Sequence, residues 1–418
     1  MNKIIKKCRV CGNTHLIDVI NLGDQALTGV FPKTKDEFVD VAPLELVRCS
    51  KDNENCCGLV QLKHSFEPTK MYGNNYGYRS GLNGSMVRHL NGKIKKIESI
   101  ANIKDGDIVV DIGSNDSTLL QAYENKKIKR VGIDPTGVKF KDFYPDYVEL
   151  IPTFFSKEAF QGKLGKEAKA KVVTSIAMFY DLEEPIKFME DVKAILAEDG
   201  LWHFEQSYMP FMLKNVSYDT ICHEHLEYYA LQQIFWMTEK VGFEIVKVEF
   251  NDINGGSFAV TVKHKTTKST TKKEVQEILD NEIKEGYFEE APYKKFAEKT
   301  EAHREELLKL INSEISKGKK IYGYGASTKG NVILQYCNIT EKEMPVIAEV
   351  NVEKFGRFTP GTLIPIDSED KLNKERPDYY MVLPWHFRDN ILEREKEYLE
   401  NGGKFIFPLP KIDIVGKE

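Results

Sequence analysis

The chain has no apolar run long enough to cross a bilayer, and its first residues, Met1-Asn2-Lys3-Ile4-Ile5-Lys6-Lys7, lack the apolar core of a signal peptide. Neither a membrane span nor export is therefore expected, and the expected compartment is the cytoplasm. A positive excess is also missing. The formal net charge is -5 and no long Lys/Arg block stands apart from acidic neighbours, which argues against a nucleic-acid partner, because gripping phosphates takes a basic surface. Cysteine is scarce beyond the N-terminus: five of seven lie in the first 57 residues, at Cys8, Cys11, Cys49, Cys56 and Cys57. In a reducing compartment that clustering reads as a metal site. Cys8-x-x-Cys11 sets two thiolates on one tight turn, and Cys49 with Cys57, in preference to Cys56, completes a tetrahedron for Zn²⁺. The competing reading is a redox dithiol or free thiols. Four thiolates leave no open position, so zinc here would be structural.

What is present is an ordinary globular composition, 41% hydrophobic and 29% charged over 418 residues, enough for two or three cores. The most telling stretch is Ile108-Val109-Val110-Asp111-Ile112-Gly113-Ser114-Asn115-Asp116. An apolar strand ends there in a glycine turn, and Val131-Gly132-Ile133 ends in Asp134 about twenty residues on, the arrangement by which a doubly wound α/β sheet holds an adenosine ribose. The turn has one glycine and adds Ser114, Asn115 and Asp116 where a dinucleotide loop would place further glycines. Its acids would repel a pyrophosphate but accept the cationic S-adenosylmethionine. The expected cofactor contacts are Asp111, Gly113, Ser114, Asn115, Asp116, Asp134 and Pro135. The alternative is a plain strand-to-turn junction.

Alternating signals place strands at 107–112, 129–134, 147–151, 171–177, 200–206, 244–250 and 257–263, which suits a parallel sheet with a reversed edge. Upstream lies a small module of cysteines and short strand-like pieces at 44–47 and 59–62, then a loop rich in Tyr, Gly and Asn that includes Tyr76 and Tyr78, and a helical pattern from Met86 toward Ile100. Downstream, residues 264 to about 318 read as solvated helices, with Phe296, Leu307, Leu308, Leu310 and Ile311 at helical spacing. A second α/β unit opens with Ile321-Tyr322-Gly323-Tyr324-Gly325-Ala326-Ser327-Thr328-Lys329-Gly330-Asn331. Its glycines at a helix start make a phosphate cradle, Lys329 adds positive charge, and Glu349 ends the next apolar run where a ribose-binding acid would stand. The expected domains are 1–65, 66–265 and 266–418.

His223-Glu224-His225 lies among aromatics, and its spacing is not the H-E-x-x-H of a catalytic zinc helix. Acid–base chemistry suits it better: imidazole can take a proton from an activated carbon while a neighbouring carboxylate orients it. The bland alternative is a helix start whose side chains bond nearby loops.

Taken in order, the Cys-x-x-Cys module, the Asp111–Asp116 turn, His223–His225, the Gly323–Asn331 turn, Cys57-Gly58-Leu59-Val60-Gln61-Leu62, Asn254-Gly255-Gly256-Ser257, Pro360-Gly361-Thr362 and Leu383-Pro384-Trp385-His386 resemble the sugar-nucleotide C-methyltransferases that make branched deoxysugars such as mycarose and tetronitrose. The likeness spans nearly the whole chain. It implies a small N-terminal zinc-binding module, a central class I Rossmann-like domain binding S-adenosylmethionine, and a C-terminal Rossmann-like domain holding a nucleotide-diphosphate-linked keto-deoxysugar. It also implies that His225 removes the proton beside a 4-keto group with help from Glu224, giving an enolate methylated at C-3. Tyr76 matches a family tyrosine near the reacting groups. Tyr78, Gly325, Ser327, Lys329, Gly330, Asn331 and Glu349 are the substrate-side candidates. Two departures stand out: Cys222 replaces a family tyrosine, and Ala177–Asp181 lacks a family histidine, for which Tyr180 is the polar substitute. The alternatives are transfer to oxygen or nitrogen, and an NAD-dependent reductase built on the second turn. A monomer or weak homodimer is expected.

Overall fold

The computed structural model describes residues 3–51, 55–67, 71 and 78–416. Its centre is a seven-stranded sheet in the order Phe243–Asn251, Ser257–His264, Leu196–Ser207, Ala170–Ile176, Ile108–Ile112, Lys129–Ile133, Val148–Ile151. All seven expected strands are in it. Six run in one direction and Ser257–His264 runs against both neighbours. The reversed strand is thus second from the edge, not at the edge as the sequence pattern suggested. The reason is a hairpin: Asn254, Gly255 and Gly256 have φ of 56°, 88° and 121°, so the chain doubles back and slots between its partner and Leu196–Ser207. A Cβ on Gly256 would lie 2.6 Å from the Phe211 ring, so only glycine fits there.

The parallel strands are apolar on both faces because helices cover both. Val109, Val110, Val131 and Val173 are all fully buried. Helix Gly84–Ala101 starts where Asn83 accepts the Ser85 amide and stops at Asn102 in the left-handed region. Its buried stripe of Met86, Leu90, Ile94, Ile97 and Ala101 packs with Leu119, Tyr123 and Val172; each fully buried Ile contributes about 1.5–3 kcal/mol.

The N-terminal module is an antiparallel sheet of Leu16–Ala26, Val41–Cys49 and Val60–Leu62, completed by Glu227–Tyr228 from far along the chain. The segment that follows His225 is therefore a strand of the cysteine module's own sheet. The C-terminal sheet has the order Ile366–Ser368, Ile347–Glu349, Ile321–Tyr324, Tyr379–Val382, Lys404–Phe407, Asp413–Val415, parallel except for the last strand. Between the sheets run Lys273–Lys284 and Ala291–Ser316. These helices are less solvated than expected: Phe296, Leu307 and Ile311 are fully buried, and buried Glu282 accepts from Tyr208 Oη (2.6 Å) and from the Leu231 and Gln232 amides. Gln335 bonds both backbone groups of Ala26, and Asn331 Nδ2 donates to the Thr28 carbonyl at 2.7 Å. Three units are thus pinned around one centre. Among the described residues, no helix is long and apolar enough to cross a membrane.

Candidate active site

The Sγ atoms of Cys8, Cys11, Cys49 and Cys57 lie within 4.8 Å of one another, with Cys8–Cys57 and Cys11–Cys49 at 3.5 Å. Thiolates around tetrahedral zinc at ~2.3 Å sit about 3.8 Å apart, so the set fits the ion. Cys57, not Cys56, is the fourth member. Zinc bound here would hold Val41–Cys49 and the Cys8 turn together, and through the strand pairing would support Glu227–Tyr228.

The carboxyl ends of the central strands open into a cavity of about 480 Å³ lined by Asp111, Gly113, Ser114, Asn115, Asp134, Pro135, Phe154, Phe155 and Met178. Gly113 has φ 75°, and a Cβ there would meet Met178 at 3.1 Å. Burial pushes the Asp111 carboxyl up to about 7, although it accepts from Thr174 Oγ1 at 2.6 Å. Asp134 takes the Asn115 amide on Oδ2 (2.7 Å) and Thr136 on Oδ1. This turn, lined by Asp111 and Asp134 with its third acid, Asp116, paired to Arg79 at 3.7 Å, fits a sulfonium nucleoside and disfavours a pyrophosphate. The later residues of the turn do something the sequence did not suggest. Asn115 Oδ1 accepts the Ser80 amide (2.9 Å), its Nδ2 donates to the Tyr78 carbonyl (3.2 Å), and Asp116 Oδ2 accepts the Gly81 amide (2.8 Å). Asp116 does not line the cavity: its carboxylate ties down the Arg79–Gly81 segment, a job visible only once residue 80 lies beside residue 115.

Glu205 was not singled out by the sequence. It lines the same cavity and accepts from His89 Nε2 (2.6 Å), Lys93 Nζ (2.5 Å) and Asn251 Nδ2 (2.6 Å). Burial would raise it, but the His89 bond and the Lys93 charge prevail and bring it down to about 2. No motif pointed to it, because its donors come from a helix and a strand far away in sequence.

At the other end of the cavity stand Tyr180, Cys222, Glu224, His225 and Lys329. The His225 segment is not a helix start; it is an irregular turn between Tyr218–Thr220 and Glu227–Tyr228. His225 Nδ1 donates to the Thr220 carbonyl at 2.9 Å, so Nε2 carries the free lone pair. The Tyr180 ring meets the imidazole edge-on, centroids 4.3 Å apart. Burial, then the Lys329 charge, lowers His225 to about 3. Glu224 does not bond His225; its carboxylate reaches Thr28 Oγ1 at 3.4 Å and is raised by burial. His223 points away, with Nε2 at 3.2 Å from the Ala42 carbonyl. Tyr76 lies outside the described residues.

A second cavity, about 790 Å³, adjoins the first at Tyr78, Glu224 and Thr328 and is lined by Gly325, Ala326, Ser327, Glu349, Lys354 and Arg394. Ser327 caps the helix Thr328–Tyr336 by accepting the Gly330 amide. Glu349 is bound by the Ala326, Val350 and Asn351 amides. Arg79, Arg88, Lys354 and Arg394 supply the positive charge here, and the sequence had flagged none of them. Lys329, expected in this cradle, lines the first cavity instead, and Gly330 and Asn331 line neither: Gly330 lets the helix approach Leu383, and Asn331 anchors Thr28.

Three family models match in succession: "Putative zinc binding domain" over residues 8–72, "Methyltransferase domain" over 86–248 and "C-methyltransferase C-terminal domain" over 252–410. A relative, the C-methyltransferase NovU of Streptomyces niveus, is 32% identical over 416 residues, which is 99% of this chain and 98% of that one. Among solved structures, an S-adenosylmethionine-dependent methyltransferase from Clostridium acetobutylicum is 14% identical over 43% of this chain and 92% of its own, with a TM-score of 0.33. The CcbJ methyltransferase of Streptomyces caelestis is 12% identical over 42% and 90%, with a TM-score of 0.32.

Proposed function

The chain belongs to the C-methyltransferases, being alike to NovU along its whole length, and from that premise we propose that it methylates a carbon, C-3, beside the ketone of a nucleotide-diphosphate-linked deoxysugar, with His225 as the base. It is an S-adenosylmethionine-dependent enzyme, and the bound cofactor supplies an electrophilic methyl group. Asp111, Gly113, Asp134 and Pro135 are the residues that would hold it.

The observation that carries the reading is the state of His225. Its Nδ1–H is committed to the Thr220 carbonyl, leaving Nε2 as an open acceptor in the cavity that also contains the cofactor turn. A carbon acid next to a ketone is within reach of such a base; an unactivated sugar carbon is not. The adjoining cavity, with its helix N-terminus, Lys354 and Arg394, supports an anionic handle on the acceptor. Tyr180 would orient the imidazole edge-on, and Glu224 stands where the two cavities meet, able to bond a sugar hydroxyl. Tyr76 is retained as an orienter from the family likeness alone.

The test is titration calorimetry with S-adenosylhomocysteine, then with thymidine, cytidine and guanosine diphosphates in its presence, followed by deuterium uptake from solvent at the carbon beside the ketone. Tight binding of the first ligand and one diphosphate, with uptake abolished in His225→Asn, is the expected result. Methyl transfer without any carbon-bound proton exchanged or lost would refute a carbon acceptor.

A further inference from the structure

Lys329 is the second residue of the helix Thr328–Tyr336, on the same turn whose neighbours Gly325, Ala326 and Ser327 line the second cavity. Its side chain leaves that turn in the opposite direction and enters the first cavity, beside His225 and Cys222. There Nζ donates to the Asn254 carbonyl at 2.7 Å. That carbonyl belongs to the hairpin turn beside the reversed strand, so the ammonium is held between two domains. Burial lowers the Lys329 pKa from its ordinary value and the attraction of Asp219 offsets part of this, but no carboxylate among the described residues lies within ion-pair distance of it. Asp219 Oδ2 is taken by Trp385 Nε1 at 2.7 Å, and its Oδ1 has no hydrogen-bond partner. An ammonium has three N–H donors. One is used, and two remain facing the cavity.

A half-buried, incompletely paired cation next to a base is costly unless the reaction uses it. Proton removal by His225 would create one new positive charge, the imidazolium, a short way from Lys329. That is unfavourable unless negative charge appears between them. Resting on the ketone reading above, we infer that Lys329 is a catalytic residue whose ammonium hydrogen-bonds the substrate ketone oxygen and carries the charge of the enolate. The step balances as follows. His225 Nε2 accepts the proton on the carbon beside the carbonyl, and the C–H electron pair becomes the C=C bond. The carbonyl π pair moves to oxygen, which faces Lys329 Nζ–H. Net charge is unchanged, with the imidazolium and the enolate formed together. In the free protein the same ammonium disfavours protonation of His225 and keeps the base available. The C-terminal domain would thus supply the electrophile, and the central domain the base.

The test uses the full-length protein with S-adenosylhomocysteine and thymidine diphosphate-linked 4-keto-6-deoxyglucose in deuterated water, following loss of the proton beside the ketone. Lys329→Met should slow this exchange by about 10²-fold or more, the usual loss when an oxyanion donor is removed, while S-adenosylhomocysteine affinity changes less than about twofold. Lys329→Arg should retain part of the rate. In the unliganded protein, His225 followed by NMR should titrate at higher pH in Lys329→Met than in the wild type. Exchange in Lys329→Met at the wild-type rate, or an unmoved His225 titration, would overturn the inference. So would a variant that only binds thymidine diphosphate less well and exchanges normally at saturation, since Lys329 would then serve the diphosphate. If the wild type itself exchanges nothing, or His225→Asn exchanges as well as wild type does, it is the ketone reading that fails, and this proposal falls with it.

Discussion

Replacing Glu205 by Gln should destabilise the central sheet by roughly 3 kcal/mol at pH 7. The carboxylate is 2% exposed and surrounded by donors from His89, Lys93 and Asn251. Its environment brings it from an ordinary 4.5 down to about 2, and at about 1.4 kcal/mol per pH unit that difference is roughly 3 kcal/mol. Breaking a buried ion pair by removing one partner independently suggests about 3–5 kcal/mol, because Lys93, itself 8% exposed, would lose its counter-ion. The sign follows from the direction of the shift. A carboxyl whose native pKa is depressed stabilises fully above its unfolded value, and that contribution is lost as pH falls through the native value. The deficit of Glu205→Gln relative to wild type should therefore shrink to roughly 1 kcal/mol at pH 3. Urea unfolding followed by tryptophan fluorescence suits the measurement, since Trp202 lies on the same strand. A variant within about 0.5 kcal/mol of wild type at pH 7, or one whose deficit is as large at pH 3, would refute the assignment of this network as charged.

Cys57→Ser should lose bound zinc while Cys56→Ser keeps close to one ion per chain, and metal analysis distinguishes them. Chelation should also shift the NMR signal of His225, because Glu227–Tyr228 pairs with Val60–Gln61 of the zinc module; an unmoved signal would show that the module does not position His225. Gly113→Ala forces an L-residue to φ 75° against Met178 and should cost about 1–2 kcal/mol of stability, with weaker S-adenosylhomocysteine binding read by calorimetry. Asp111, raised to about 7 by burial, is protonated below that pH in the free protein. If it meets the ligand's ammonium, affinity should fall as pH drops through 7, by up to about tenfold per unit, and Asp111→Asn should flatten the profile.

The features decided by local sequence were legible without coordinates. The strand patterns ending near Gly113, Asp134 and Ala177 were readable, since periodicity and turn chemistry act within a few residues. Cys8-x-x-Cys11 likewise announces a metal turn, and His223-Glu224-His225 marks a candidate for acid–base chemistry. What a side chain meets across the fold is a different matter, because partners are brought together by chain reversals whose geometry no short window contains. The hairpin at Asn254–Gly256 moved the reversed strand inward and placed the carbonyl that holds Lys329. Pairing of Glu227–Tyr228 with Val60–Gln61 made the zinc module a support for the His225 turn. Asp116 was drawn from the cofactor turn's cavity to the Gly81 amide, and Lys329 from the second cavity to the one that holds His225. Glu205 acquired its three donors only when the helix Gly84–Ala101 and the strand Phe243–Asn251 closed around it. The sequence by itself determined which chemistry the chain could hold. Tertiary structure decided which residues share it, because a charge takes its role from the partner it faces in a space that excludes water.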